Sequence, residues 1–206
     1  MMDALSILAI AMQCSTAAPA PVVAALAMTE TQGGAFTVTV DGDRSDHDSL
    51  DMAVQSVALA LVYEGRIKIG IAGVPVEAFG ARDQSYVDGF SACQNMAVAG
   101  DELRERVEAF GGQEEHWRLA VLDYGTGEPG VDGDYAVRFD EAFAQIEEVA
   151  GQLGGQSVAQ ANRSLDAAHE PSPASARNYA EPSETSSDRW DVYGRVESRS
   201  LLIFSQ

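Results

Sequence analysis

Apolar residues recur at helical spacing along most of the first 153 residues, and Gly or Pro cuts the pattern into helix-length pieces. That combination restricts the chain to a mainly α domain with a minor β element. Leu5, Leu8, Ala9 and Met12 make residues 3–13 a short amphipathic helix. Pro19-Ala20-Pro21 opens a second helix, because Pro is favoured in a first turn. It runs through Val22, Val23, Leu26 and Ala27 to about Thr31, and Gly33-Gly34 stop it. Residues 35–40 alternate, with Phe36, Val38 and Val40 on one side, and predict a strand followed by a turn at Asp41-Gly42-Asp43. Ser49 is placed to cap a helix over 50–64 that Gly65 ends. Ile67, Ile69 and Ile71 alternate on an extended stretch, completing one small hairpin near 35–72, and Gly70, Gly73 and Pro75 break that stretch into a loop. Residues 92–111 read as helical with an interruption at Gly100, residues 113–123 as a helix ending near Tyr124, and 125–130 as a loop. A last long helix covers 134–153, with Phe139, Phe143, Ile146 and Val149 on one face.

The periodicity then fails. Residues 156–189 are rich in Ser, Ala, Pro, Asn and Glu, a composition that cannot bury a core, and we expect a disordered linker there. Residues 190–206 turn apolar again (Val192, Tyr193, Leu201, Leu202, Ile203, Phe204), as a tail that either packs on its own domain or docks elsewhere. The expected organisation is a domain over 1–155, a linker over 156–189 and a tail over 190–206. The formal net charge is −19, and it is uneven: residues 1–156 hold eight basic residues against 25 acids. Such a surface argues against nucleic acid, which needs a basic face, and against docking on anionic lipid. No apolar run approaches the roughly 18–20 residues of a membrane span. Residues 3–13 lack the basic start of a secretory signal, since Asp3 stands there and no basic residue precedes Arg44. If the protein is exported, its signal is expected outside this sequence. Cys14 and Cys93 are either two buried free thiols or one disulfide closing a long loop, and the second alternative needs an oxidising compartment.

The acid best placed for chemistry is Glu30. It ends the apolar stretch Val23 to Met28 and precedes a Gly-rich turn. A carboxyl there feels the negative end of the helix dipole, and partial desolvation would raise its pKa further. A proton held near neutral pH is what a general acid for glycosidic cleavage needs. A lone Glu among 32 acids is, on numbers alone, more often a solvated one.

The order of the segments adds weight to Glu30. Met12-Gln13-Cys14, then a Pro-led helix ending Met28-Thr29-Glu30-Thr31, then Ile69-Gly70-Ile71-Ala72-Gly73-Val74, then Phe90-Ser91-Ala92-Cys93-Gln94-Asn95-Met96, then Leu122-Asp123-Tyr124-Gly125-Thr126-Gly127, then Gly130 and Gly133-Asp134-Tyr135-Ala136, follow one another. This succession resembles the goose-type lysozyme fold, and more closely the lytic transglycosylases associated with type IV secretion and conjugation. It covers about residues 4–150. The resemblance implies a lysozyme-like α+β domain with a groove for peptidoglycan glycan strands. It implies cleavage of the N-acetylmuramic acid–N-acetylglucosamine bond without water, leaving a 1,6-anhydro sugar. One Glu then serves as acid and base, with no cofactor and no metal. Glu30 takes that role, and Tyr124 faces it across the groove. Thr31, Gly70, Ile71, Gly73, Thr126 and Tyr135 join Tyr124 as groove residues, and Cys14 and Cys93 match the family's disulfide pair. The implied setting is the periplasm or cell envelope, with the 190–206 tail available to secretion-system components.

The sequence also departs from that family. Gly73 stands for a groove-lining Gln, Gly125 for the Asn after the Tyr, Thr31 for a Ser, Ala72 for a Gly, and Lys68 where a Ser or similar residue is usual. The lost Gln and Asn side chains favour an alternative: a catalytically impaired relative that binds glycan or scaffolds a partner. Other chemistries find less support. Asp41, Asp43, Asp46, Asp48 and Asp51 crowd one loop but lack the Gly and Glu positions of an EF-hand, so a solvated acidic turn is expected. His47, His116 and His169 are scattered and suggest no metal site.

Overall fold

A computed structural model describes residues 2–63, 65–131 and 133–167, with side chains through Leu153. Among the described residues, seven α-helices and a four-stranded antiparallel sheet make it mainly α with a small β element. Helix α1 (Ala4–Cys14) starts where the Asp3 carboxylate accepts the Ser6 N–H at 2.9 Å. Helix α2 (Ala20–Thr31) follows with Pro in its first turn and ends at Gln32, whose φ of 53° and N–H bond to the Met28 carbonyl close the last turn. Its residues Val22 to Ala27 are all buried, so α2 is apolar all round and needs neighbours on every side. Helices α1 and α7 supply most of them.

Strands β1 (Thr37–Val40) and β2 (Asp43–Asp46) pair with Val40 opposite Asp43, leaving Asp41-Gly42 as a two-residue turn. Both turn residues have positive φ, which suits Asp and Gly. The acidic segment expected as a loop is therefore partly an exposed edge strand. Exposed charge on an edge strand blocks further pairing. After α3 (Leu50–Val62), capped by Ser49, strand β3 (Ile67–Ile69) pairs with β1, and β4 (Val74–Pro75) pairs with β3. One small hairpin was expected, and the sheet has the order β2-β1-β3-β4. Glu64, the expected end of α3, lies outside the described residues. The pleat sorts the side chains. Val38, Ile67 and Ile69 go into the core, and Thr39, opposite both Arg44 and Lys68, presents its row to the other side.

A short helix α4 (Val76–Gly80) and a 3-10 turn (Tyr86–Phe90) lead into α5 (Ala92–Ala109). Gly100 does not interrupt α5. Its missing side chain instead makes room for α1, since a Cβ there would stand 2.7 Å from Ser15 Oγ. The helix expected over 113–123 begins as a 3-10 turn at Glu114–His116 and becomes α6 (Trp117–Thr126). Gly125 and Thr126, expected in a loop, belong to α6. The stop is Gly127, at φ 77°, whose N–H bonds the Asp123 carbonyl.

Helix α7 (Asp134–Ala167) runs past its expected end, so residues 156–167, placed in a linker by composition, continue it. Ser and Ala are compatible with helix where Pro is absent, and the first Pro after α7 is Pro171. The remaining linker, 168–189, and the tail, 190–206, lie outside the described residues. No helix among the described residues is long and apolar enough to cross a membrane. Cys14, the last residue of α1, and Cys93, in the first turn of α5, form a disulfide.

Candidate functional site

A cleft of about 610 Å³ opens between the end of α2, the sheet, the end of α6 and the start of α7. Thr29, Glu30 and Gln32 line it from α2. Thr39, Asp41, Gly42, Arg44, Arg66 and Lys68 line it from the sheet and its turns, and Gly125, Thr126, Tyr135 and Arg138 from α6 and α7. The Glu30 side chain is only 10% exposed. Tyr135 Oη donates to Glu30 Oε1 at 2.6 Å, and the Lys68 ammonium lies 3.6 Å from the same oxygen. Lys68 is further held by a 3.1 Å bond to the Tyr124 carbonyl and sits 4.8 Å from the Tyr124 ring centre.

Opposing effects act on Glu30. Burial raises its pKa and is the largest influence; the charge of Lys68, the Tyr135 hydroxyl, a Lys68 hydrogen bond and the Arg138 charge lower it. Burial wins, so the carboxyl titrates above the usual 4.5. Burial and the Glu30 charge push the Tyr135 hydroxyl well above 10, so it stays a neutral donor.

The other expected groove residues are distributed differently. Thr126 and Tyr135 line the cleft with Glu30. Tyr124 does not face Glu30 across it. Its buried hydroxyl donates to the Ala72 and Gly73 carbonyls, at 3.0 and 2.9 Å, and so fastens the loop behind the cleft wall. Thr31 Oγ1 lies 2.6 Å from the Ile71 carbonyl and 3.1 Å from that of Ala27, pinning the same loop to the end of α2. Ile71 is a fully buried core residue. Gly70, at φ 74°, packs where a Cβ would collide with the Gly89 carbonyl and Asn95. Asn95 completes the clamp, accepting from Ala72 N–H and donating to the Ile69 and Gly89 carbonyls. These residues shape the site from behind and do not present atoms to a ligand.

Gly73 and Gly125 gain a positive explanation. A Cβ on Gly73 would stand 2.6 Å from Glu30 Oε2, and its φ is 58°. A Cβ on Gly125 would collide with the hydroxyl-bearing edge of the Tyr135 ring. The volume that larger side chains would take is filled by the acid itself and by the tyrosine that bonds it. Gly125→Asn is therefore expected to lower stability by about 2 kcal/mol through overpacking. Tyr135→Ala in the same chain should give back part of that loss. Denaturant midpoints of the two single variants and the double check this, and strict additivity would refute the steric coupling.

Lys68 emerges as a site residue that sequence reasoning treated only as a departure; the signal was its place between Ile67 and Ile69 as the sole Lys of the chain. Arg66 and Arg138 carried no comparable signal. Among the described residues no three His, Cys, Asp or Glu side chains gather as a metal site would require. No family model matches the chain, and neither a search of curated proteins nor one of solved structures finds a match.

Proposed function

We propose that this chain is a lytic transglycosylase-like protein of lysozyme-like fold. It cleaves the N-acetylmuramic acid–N-acetylglucosamine bond of peptidoglycan and opens the cell wall locally for a secretion or conjugation apparatus. Its place of work is the periplasm or cell envelope. The observation that carries this reading is the Glu30 carboxyl, desolvated at the wall of an open cleft, with its pKa raised and a neutral hydroxyl at 2.6 Å. Such a group can protonate a glycosidic oxygen and, once ionised, draw the proton from a sugar hydroxyl that attacks intramolecularly. Asp41 also lines the cleft, but its carboxylate accepts the Arg66 N–H at 3.0 Å and lies 3.8 Å from the Arg66 guanidinium. A single working acid fits the anhydro-forming route.

Lys68 and the Tyr135 hydroxyl favour a second reading, a glycan-binding or scaffolding module without catalysis, because both stabilise the ionised Glu30. Incubation of purified sacculi with the full chain separates the two. Release of 1,6-anhydro-muropeptides, detected by mass, is the expected result, and their absence overturns the enzymatic reading. The rate should fall as pH rises through the Glu30 pKa, since the first step needs the protonated form. Lys68→Gln removes a charge that lowers this pKa, so the alkaline limb should move to higher pH. A limb that moves down or stays put would disconnect Lys68 from the acid.

A further inference from the structure

We propose, resting on the glycan reading above, that the positively charged rim of the cleft selects glycan strands still bearing carboxylate-rich peptide stems, with Arg66 and Arg138 as the specificity-determining residues. The domain is strongly acidic, yet Arg44, Arg66, Lys68 and Arg138 line a single cleft whose only acids among the described residues are Glu30 and Asp41. The basic residues elsewhere among the described side chains are mostly spent on carboxylates. Arg82 bonds Glu102 and Glu105, Arg106 bonds Glu102, and Arg118 bonds Asp140. Arg104 instead donates to the Ala17 carbonyl.

The cleft cations differ in how far they are committed. The Arg44 guanidinium is tied to Asp46 by two hydrogen bonds, and Lys68 is half-buried against Glu30 and the Tyr124 carbonyl. The Arg66 side chain is 92% exposed, and among the described residues only Asp41 pairs with it, at 3.8 Å. Arg138 is exposed over the Tyr135 ring, 5.6 Å from its centre, and no carboxylate among the described residues is within ion-pair distance of it. Sugar hydroxyls and acetamides, and lactyl groups capped as amides, do not call for such charges. A polyanionic strand, by contrast, would be repelled by the rest of the surface and needs local cations to enter. Two long, exposed guanidiniums lining the cleft, Arg66 paired with Asp41 only at 3.8 Å, suit planar carboxylates that hang from the strand.

The test is calorimetric titration of the full chain carrying Glu30→Gln, so that nothing is turned over. The ligands are soluble muramyl oligosaccharides with their peptide stems, the same sugars after amidase removal of the stems and conversion of the lactyl carboxylates so freed to neutral amides, and the free stem peptide. Stem-bearing sugar should bind about tenfold more tightly than stem-free sugar at low salt. The gap should close at about 0.5 M salt and in the further variant Arg66→Gln/Arg138→Gln. Arg118→Gln, whose partner is Asp140, should leave the ratio intact. Equal affinities for the two sugars, or a ratio that survives the double Arg change, overturns the selectivity and leaves the glycan reading standing. Binding of the free peptide without binding of either sugar overturns the glycan reading while keeping the rim as an anion site. Binding of none of the three overturns both.

Discussion

Glu30→Gln is expected to lower the release of anhydro-muropeptides by about a thousandfold and, at neutral pH, to make the protein more stable. The loss follows from removing the only proton donor the route has; general acid–base groups contribute about 10²–10⁴. The gain in stability follows from the sign of the shift. In the folded chain the Glu30 pKa is raised above its unfolded value near 4.5, chiefly by burial. The folded state therefore binds the proton more tightly than the unfolded state does. Below the unfolded pKa the group is protonated in both states and costs nothing. As pH climbs through the folded pKa, the buried carboxyl must ionise, and stability is lost. A Gln of the same shape carries no such cost and can still accept the Tyr135 hydrogen bond. Thermal melts of both proteins across pH should show curves that converge in acid, separate as pH rises from the unfolded towards the folded Glu30 pKa, and stay apart above it, with the variant higher. A variant less stable than wild type at neutral pH would mean that the Lys68 and Tyr135 interactions outweigh burial, and Glu30 would then be a structural carboxylate. Active sites commonly hold residues that cost stability, so the two effects together discriminate better than either alone.

What could be read from the sequence is what local periodicity and chain-end chemistry determine. The apolar face of α7, the Pro-led start of α2 and the Ser49 cap of α3 are local patterns with strong physical causes, and the structure has all three helices there. Glu30 could be singled out because it closes an apolar helix. Lys68 stands beside it because Ile67 and Ile69 point into the core and the pleat turns the residue between them outward; the alternation was visible, but its meeting with Glu30 was not. That meeting depends on the pairing of Thr39 with Lys68 across β1 and β3, separated by 29 positions. Gly73 and Gly125 were misleading for a related reason. A glycine in a sequence shows a missing side chain, whereas the structure shows which neighbour occupies the space, here Glu30 and Tyr135. The edge strand β2 escaped because Asp-rich segments favour turns and its register is set by the Asp41-Gly42 turn and by β1, not by an apolar face of its own.

Removal of the Cys14–Cys93 bridge is expected to cost about 4.5 kcal/mol, the largest stability effect of any change considered. The two cysteines are 79 positions apart. The loop they close holds α2, the whole sheet, α3 and the segment from Gly70 to Gly73, and hence Glu30, Lys68 and the rear wall of the cleft. Opening it enlarges the unfolded ensemble and leaves the native contacts in place, among them the packing of α1 on α5 beside Gly100. For a domain whose total stability is about 5–15 kcal/mol, the loss is a large share. Reduction, or Cys14→Ser/Cys93→Ser, should therefore bring the denaturant midpoint down sharply. Turnover of sacculi under mild conditions should fall only with the unfolded fraction, because Glu30 is held by α2, Tyr135 and Lys68, whereas the cysteines lie on α1 and α5. An unchanged midpoint would show that the unfolded chain is already restrained across this span, and a midpoint held alongside abolished turnover would make the bridge part of the site. A loss of that size would tie the fold to an oxidising compartment, where such a bridge forms and persists, which is the setting the proposed cell-wall function needs.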